Sequence, residues 1–235
     1  MKDPKLSCFS NCSKKSTCIF KVADFSVVEK ELSERVLTNT FKKNQTIFLQ
    51  GHRPHGVYCV YQGTIKLLAV NNEGKESILR LVTRGDIFGH RAFFSSECYN
   101  ASAIAVEDCS VSYFDGDFML DLMKRFPLLT FSLLSHVTQS LGTAENSFVK
   151  LAYKNVRERF AELLIDLKKS YGVEDPKGIR LEIKLTREEM ASMIATTHET
   201  LVRLFTEFKN EGIVHQEGKV IFINDEKKLN EFANL

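Results

Sequence analysis

Two groups of residues in this chain have types and spacings suited to chemistry. The first is a run of thiols near the N-terminus, Cys8, Cys12 and Cys18, spaced C-x3-C-x5-C, with Cys59, Cys98 and Cys109 further along. Thiolates ligate soft metals and take part in redox reactions. The second is LTREEMASMIATTHETLVRLFTEFKNEGIV, residues 185–214. Its helical periodicity leaves His198, Glu199, Val202 and Arg203 facing outward near one helix start. An outward arginine can donate two hydrogen bonds to guanine, and an outward glutamate can accept from the cytosine amino group. A plainer alternative stays open, in which Glu199 and Arg203, four residues apart, form a surface ion pair worth about 0.3 kcal/mol.

The elements that must position these residues are written around them. Thr186 followed by Arg187, Glu188 and Glu189 is a capping box, so a short helix starts there with Met190, Met193 and Ile194 on its buried side. Thr196-Thr197 suit the cap of a second helix whose Leu201, Leu204, Phe205 and Phe208 point inward. Two short helices joined by a tight turn give helix-turn-helix geometry. Glu211-Gly212 closes the second helix, and IVHQEGKVIFI reads as a hairpin turning at Glu217-Gly218, a wing. Thr186, Arg187 and Thr197 join the four outward residues as the expected DNA-binding set.

Upstream the pattern changes. From about Phe41 to Phe114 short apolar runs alternate with glycine, as in an antiparallel barrel or jelly roll, and Asn71-Asn72-Glu73-Gly74 suits a hairpin loop. After Pro127 one long helix is expected, carrying Leu134, Val137, Leu141, Ala144, Phe148 and Leu151 in a heptad-like stripe. The stripe either pairs with a second copy of the chain or packs on the chain's own strands; periodicity does not decide. A second helix should run from Val156 to Tyr171, and Gly172 to Gly178, with Pro176, reads as a loop. The fold class expected is α+β: an N-terminal antiparallel β-barrel of jelly-roll type, a long dimerisation helix and a C-terminal winged helix-turn-helix. The boundaries are 1–24 for the cysteine segment, 25–126 for the barrel, 127–153 for the helix and 154–235 for the DNA-binding domain.

Composition narrows the class. The 235 residues suffice for two domains without disulfides. The formal charge of +2 does not by itself announce a nucleic-acid binder. No apolar run approaches the ~18 residues that span a bilayer, and MKDPKLSCFSNC lacks a signal-peptide core. A cytoplasmic protein without a membrane partner is expected, in which cysteines are thiols or metal ligands. Nucleophile elbow, phosphate-binding glycine loop and metal-hydrolase helix motifs are lacking, so no enzyme is expected.

Residues 185–214 closely resemble the DNA-binding segment of CRP/FNR transcription regulators. GVYCVYQGTIKLLAV followed by GDIFGHRAFF resembles the family's cyclic-nucleotide-binding barrel, and the helix after Pro127 lies where the family dimerises. The resemblance covers about residues 25 to 225. It implies a homodimer that binds double-stranded DNA and works with RNA polymerase. Glu199 and Arg203 fall on the residues that read a TGA/TCA core, while Val202 stands where a serine or glycine is usual.

The resemblance also implies what the barrel lacks. Cyclic AMP receptors use a glutamate after Phe-Gly, an arginine-serine pair for the phosphate and hydroxyls on the dimer helix. This chain has His90 after Phe88-Gly89, Tyr99-Asn100 in place of arginine-serine, and Ala144 and Glu145 on the helix, so cyclic AMP is not the expected effector. Phe88, Gly89, His90, Arg91, Tyr99 and Asn100 would line a pocket for another ligand. Cys8, Cys12 and Cys18 resemble the cluster ligands of iron-sulfur members, whose spacing is C-x2-C-x5-C. A fourth ligand is needed, with Cys98 and Cys109 as candidates, while Cys59 alternates with Val57 and Tyr61 as a core residue. Iron-sulfur cluster, zinc, thiol redox sensing and no metal all stay open. The alternative function is a cyclic-nucleotide or small-molecule binding module without DNA activity.

Overall fold

A computed structural model of the chain describes residues 18–22, 29–183 and 185–234. It divides into two compact units, Met1–Gly142 and Thr143–Leu235. In the first, a 3-10 turn (Ile19–Val22) and helix α1 (Glu29–Arg35) precede β1 (Leu37–Phe41), β2 (Thr46–Phe48), β3 (Gly56–Gln62), β4 (Thr64–Val70), β5 (Glu76–Thr83) and β6 (Ile87–Phe88). Helix α2 (His90–Ser95), β7 (Ser102–Ala105), β8 (Cys109–Asp115) and α3 (Gly116–Arg125) follow.

The eight strands form two antiparallel sheets, ordered β1-β8-β3-β6 and β2-β7-β4-β5, a jelly-roll arrangement and not one closed barrel among the described residues. Strand alternation explains the cores. Val60, Ile65, Val82, Phe88, Ala103, Ala105, Cys109 and Val111 fill the space between the sheets. On the other face of β3, Val57 and Cys59 pack with Phe118, Met119 and Leu122 of α3. The β4–β5 hairpin turns at the expected loop, where Asn71 Oδ1 accepts from the Glu73 and Lys75 amides and Gly74 takes a left-handed φ of 78°.

Helix α4 spans Pro127–Tyr153. Proline suits its first position, where no intrahelical amide bond is lost. Leu129 and Leu133 are buried against the first unit's core. Leu134, Val137, Leu141, Ala144 and Phe148 are exposed instead, Leu134 at 60% and Phe148 at 73%. The stripe therefore does not pack on the chain's own strands.

The second unit contains α5 (Val156–Tyr171), β9 (Gly172–Asp175), β10 (Gly178–Leu181), α6 (Arg187–Met193), α7 (His198–Asn210), β11 (Val214–Glu217), β12 (Val220–Ile223) and α8 (Glu226–Phe232). Asn155 and Glu158 cap α5 reciprocally. The segment 172–178, expected to be a loop, is instead strand β9 and the turn into β10. Pro176 sits in that turn, the Asp175 carboxylate accepts from the Lys177 amide, and β10 joins β12 so that the sheet runs β11-β12-β10-β9. Strand β9 is extended by its hairpin pairing with β10, and β10 by its pairing with the distant β12, not by local propensity.

Candidate nucleic-acid interface and sensor pocket

The capping box at α6 forms as the sequence requires: Thr186 Oγ1 accepts from the Glu189 amide at 3.1 Å, and Glu189 accepts from the Thr186 amide at 2.8 Å. Met190, Ala191 and Ile194 are buried, while Met193 is only partly so. Thr197 caps α7 by accepting from the Thr200 amide at 3.3 Å. Leu201, Leu204, Phe205 and Phe208 turn inward, and Phe208 lies 4.9 Å from the Phe160 ring of α5. The spacing of these four residues leaves His198, Glu199, Val202 and Arg203 on the opposite, exposed face.

The turn between the two helices depends on a residue that sequence reasoning missed. Arg159 of α5 donates from Nε to the Ile194 carbonyl at 3.0 Å and reaches the Ala195 carbonyl at 3.5 Å, while its other Nη anchors on Lys154 O at 2.7 Å. Ala195 has a φ of 49°, a left-handed conformation that alanine rarely adopts. The guanidinium holds it there by satisfying carbonyls the turn leaves without helix partners.

The expected DNA-binding residues divide by environment. Arg203 is exposed and has no hydrogen bond or ion pair among the described residues, so the Glu199–Arg203 pair is not formed. Glu199 is ionised, because its own backbone N–H and then the Thr197 hydroxyl hold its carboxyl below the usual range. Thr186 and Thr197, both exposed, are occupied as caps. His198 Nε2 lies 3.4 Å from Glu188 Oε1 at the start of α6. Arg187 points elsewhere: its guanidinium stacks 3.7 Å from the Phe205 ring centroid and donates to Gln216 of β11 at 2.6 Å. It cements α6, α7 and the wing.

In the first unit the expected pocket residues also separate. Phe88 is buried, and Gly89, with φ +76°, caps α2 so close to Tyr58 and Tyr99 that a Cβ would sit 3.2 Å and 3.4 Å from their rings. Tyr99 is buried and stacks on Phe48 at 3.8 Å. Burial, then Tyr58 and Tyr113, push its hydroxyl well above the usual range. Arg91 is exposed and pairs with Glu97 at 3.5 Å, and Asn100 is exposed. His90 is buried and turns toward His136 of α4, with ring centroids 5.5 Å apart in an edge arrangement. Burial, then the Arg80 charge and His136, push the His90 imidazole down to about 3. Sequence reasoning missed Arg80 as well. Its signal is its place between the buried Ile78 and Val82 on the inward alternation of β5.

The four described cysteines do not converge. Cys8 and Cys12 lie outside the described residues. Cys18 packs with Phe20 and Leu32, and Cys109 packs in the separate cluster between the sheets. Burial, then Glu107 and Asp108, push the Cys109 thiol up to about 11, so it is a neutral thiol at neutral pH. Cys98 is exposed, and Cys59 is fully buried. Among the described residues no group of three or more His, Cys, Asp or Glu could hold a metal. Cys18 and Cys109 therefore do not come together as two ligands of one metal.

Comparison with known proteins places this geometry. Residues 38–126 match the family described as cyclic nucleotide-binding domain, and residues 158–232 match the Crp-like helix-turn-helix domain. A CRP-like cAMP-activated global transcriptional regulator of Mycobacterium tuberculosis is 24% identical over 198 residues, covering 84% of this chain and 88% of the relative. An anaerobic regulatory protein of Haemophilus influenzae is 27% identical over 221 residues, covering 92% and 83%. Among solved structures, a CRP/FNR-family transcriptional regulator from Thermus thermophilus superimposes with a TM-score of 0.72 at 27% identity, covering 85% of this chain and 99% of that one. A CooA mutant from Carboxydothermus hydrogenoformans gives 0.71 at 26% identity, covering 85% and 88%.

Proposed function

Because this chain belongs to the CRP/FNR family of DNA-binding transcription regulators, we propose that it acts as a homodimer, reads TGA and TCA half-sites through Glu199 and Arg203, and answers to a ligand held in its N-terminal unit. The observation that carries this reading is the exposed start of α7, where an ionised glutamate and an arginine stand side by side without pairing. An unpaired arginine loses no intramolecular partner when it binds guanine, so its hydrogen bonds add to base discrimination. Val202 between them can offer only apolar contact, such as to a thymine methyl. His198, Thr186 and Thr197 line the same surface, where phosphate contacts set the register.

The exposed stripe of α4 supports a dimer. Leu134, Val137, Leu141, Ala144 and Phe148 repeat at heptad-like spacing, and a second copy of the same helix is their natural cover. A twofold dimer presents two recognition helices to two half-sites about one helical turn apart. RNA polymerase is the further partner and the cytoplasm the compartment; no helix among the described residues is long and apolar enough to cross a membrane. Phe88, Gly89, His90, Tyr99 and their neighbours form the effector pocket. Tyr99 and Asn100 supply no positive charge where the family holds the cyclic phosphate, which argues against cyclic AMP as its ligand, although a relative is named for activation by it.

The test is a mobility shift on a TGA/TCA palindrome. Arg203→Ala should lose about 1–3 kcal/mol of discrimination against a scrambled duplex while the dimer stays folded. Unchanged discrimination would remove Arg203 from the groove.

A further inference from the structure

The interior of the first unit holds polar groups that its own packing does not use. His90 is 5% exposed, yet its Nδ1 has no hydrogen-bond partner, and Nε2 of His136 on α4 is buried and equally unpartnered. The two rings meet edge to face, 5.5 Å apart. The Arg80 guanidinium, whose charge acts on both imidazoles, reaches toward the Ile87 carbonyl at 3.5 Å. The other groups that bear on this cluster are Asp86, whose carboxylate is engaged by Thr83, and the Ile87 carbonyl, which accepts from His90. Buried polar atoms in folded proteins are almost always satisfied, so two orphans on neighbouring rings mark a place where something polar is missing.

The charges decide what that something is. A metal ion would find two imidazole nitrogens but also the repulsion of Arg80, and no third His, Cys, Asp or Glu joins them among the described residues. An anion meets the opposite situation: it pairs with Arg80 and gives an imidazolium a reason to form. Because Asp86 offsets part of the Arg80 charge at His136, a singly charged ligand balances the cluster better than a dianion. The segment that the family resemblance assigns to a cyclic phosphate is here the packed ring of Tyr99 and the exposed Asn100.

We infer that Arg80, His90 and His136 form a binding site for a small carboxylate-class monoanion, taken up together with one proton. This rests on the reading of the N-terminal unit as an effector pocket and names the chemistry of its ligand. The carboxylate accepts from the guanidinium and from ring N–H groups. The proton taken from solvent resides on an imidazole, so no charge is left unpaired in the interior. Affinity then rises as pH falls, by up to about tenfold per pH unit while one proton is bound.

The test uses the full-length protein and follows thermal unfolding with sodium acetate and sodium benzoate against sodium chloride at equal ionic strength, near pH 5.5 and near pH 7.5. The expected result is a saturable rise in Tm with either carboxylate, larger at the lower pH. Arg80→Met and His136→Phe should lose it and Arg80→Lys should keep part of it. If the Met and Phe variants do not fold, the wild-type difference between carboxylate and chloride at the two pH values decides. No excess over chloride, an excess that does not change with pH, or an excess intact in Arg80→Met overturns the site. A larger and saturable shift with cyclic AMP overturns the carboxylate class while leaving an effector pocket. A carboxylate shift that leaves DNA affinity unchanged upholds the site and removes only its role as effector.

Discussion

Single residues carry opposite fates here according to burial. Arg203 and Arg187 stand sixteen positions apart on consecutive helices, yet one is unpaired at the surface and the other is stacked on Phe205 and bound to Gln216. Helical periodicity makes the outward side of α7 legible, because four apolar residues define the inward side. Arg187 is not legible in the same way, since its partners lie on other elements. His90 gives a residue-scale prediction. Its imidazole titrates near 6.5 in an unfolded chain, and burial, then Arg80 and His136, push it down to about 3 in the folded one. Between those values the unfolded chain holds a proton that the folded chain does not, so stability falls as pH falls, by up to about 1.4 kcal/mol per pH unit. Urea midpoints of His90→Gln should show a flatter slope than wild type between about pH 6.5 and 4 in chloride buffer. Equal slopes would assign the acid sensitivity to other groups.

At the scale of elements, four of the helices were readable, and the structure shows a start signal at each: Pro127 for α4, Asn155 with Glu158 for α5, Thr186 with Glu189 for α6 and Thr197 for α7. Those signals are local hydrogen bonds, so the sequence alone suffices. Thr186→Ala removes one of them and should cost about 1 kcal/mol of stability by denaturant unfolding, without moving the exposed face of α7. Strands β9 and β10 were not readable, because β10 is held by β12 about forty residues away, β9 is held only by β10, and Pro176 is as suited to a loop as to a hairpin turn. The stripe of α4 was readable as apolar but not as exposed, since periodicity shows a face and not its cover. Val137→Glu combined with Leu141→Glu should convert dimers to monomers by light scattering, with the helical content kept. A dimer that survives would place the interface elsewhere.

For the whole molecule, one chain holds a sensor-type unit and a DNA-reading unit, and the two were legible to different degrees. The DNA-reading unit follows from caps, apolar spacing and a wing hairpin within about forty residues. The sensor unit's architecture was legible from its glycine-punctuated runs, but its chemistry was not: Arg80 and His136 meet His90 only because a strand and a distant helix fold onto the same place. A net charge of +2 gives no hint of either function, since the residues that matter are few and local. The most direct test of the central claim, that Glu199 and Arg203 read bases, is a cycle over protein and DNA measured by fluorescence anisotropy at fixed salt. Wild type and Arg203→Ala are each titrated with a TGA/TCA duplex and with the same duplex carrying adenine for the guanine of each half-site. Wild type should lose about 1–3 kcal/mol per substituted half-site while Arg203→Ala loses almost nothing further. Equal losses in both proteins would contradict the account, because the guanine would then be read by something other than Arg203.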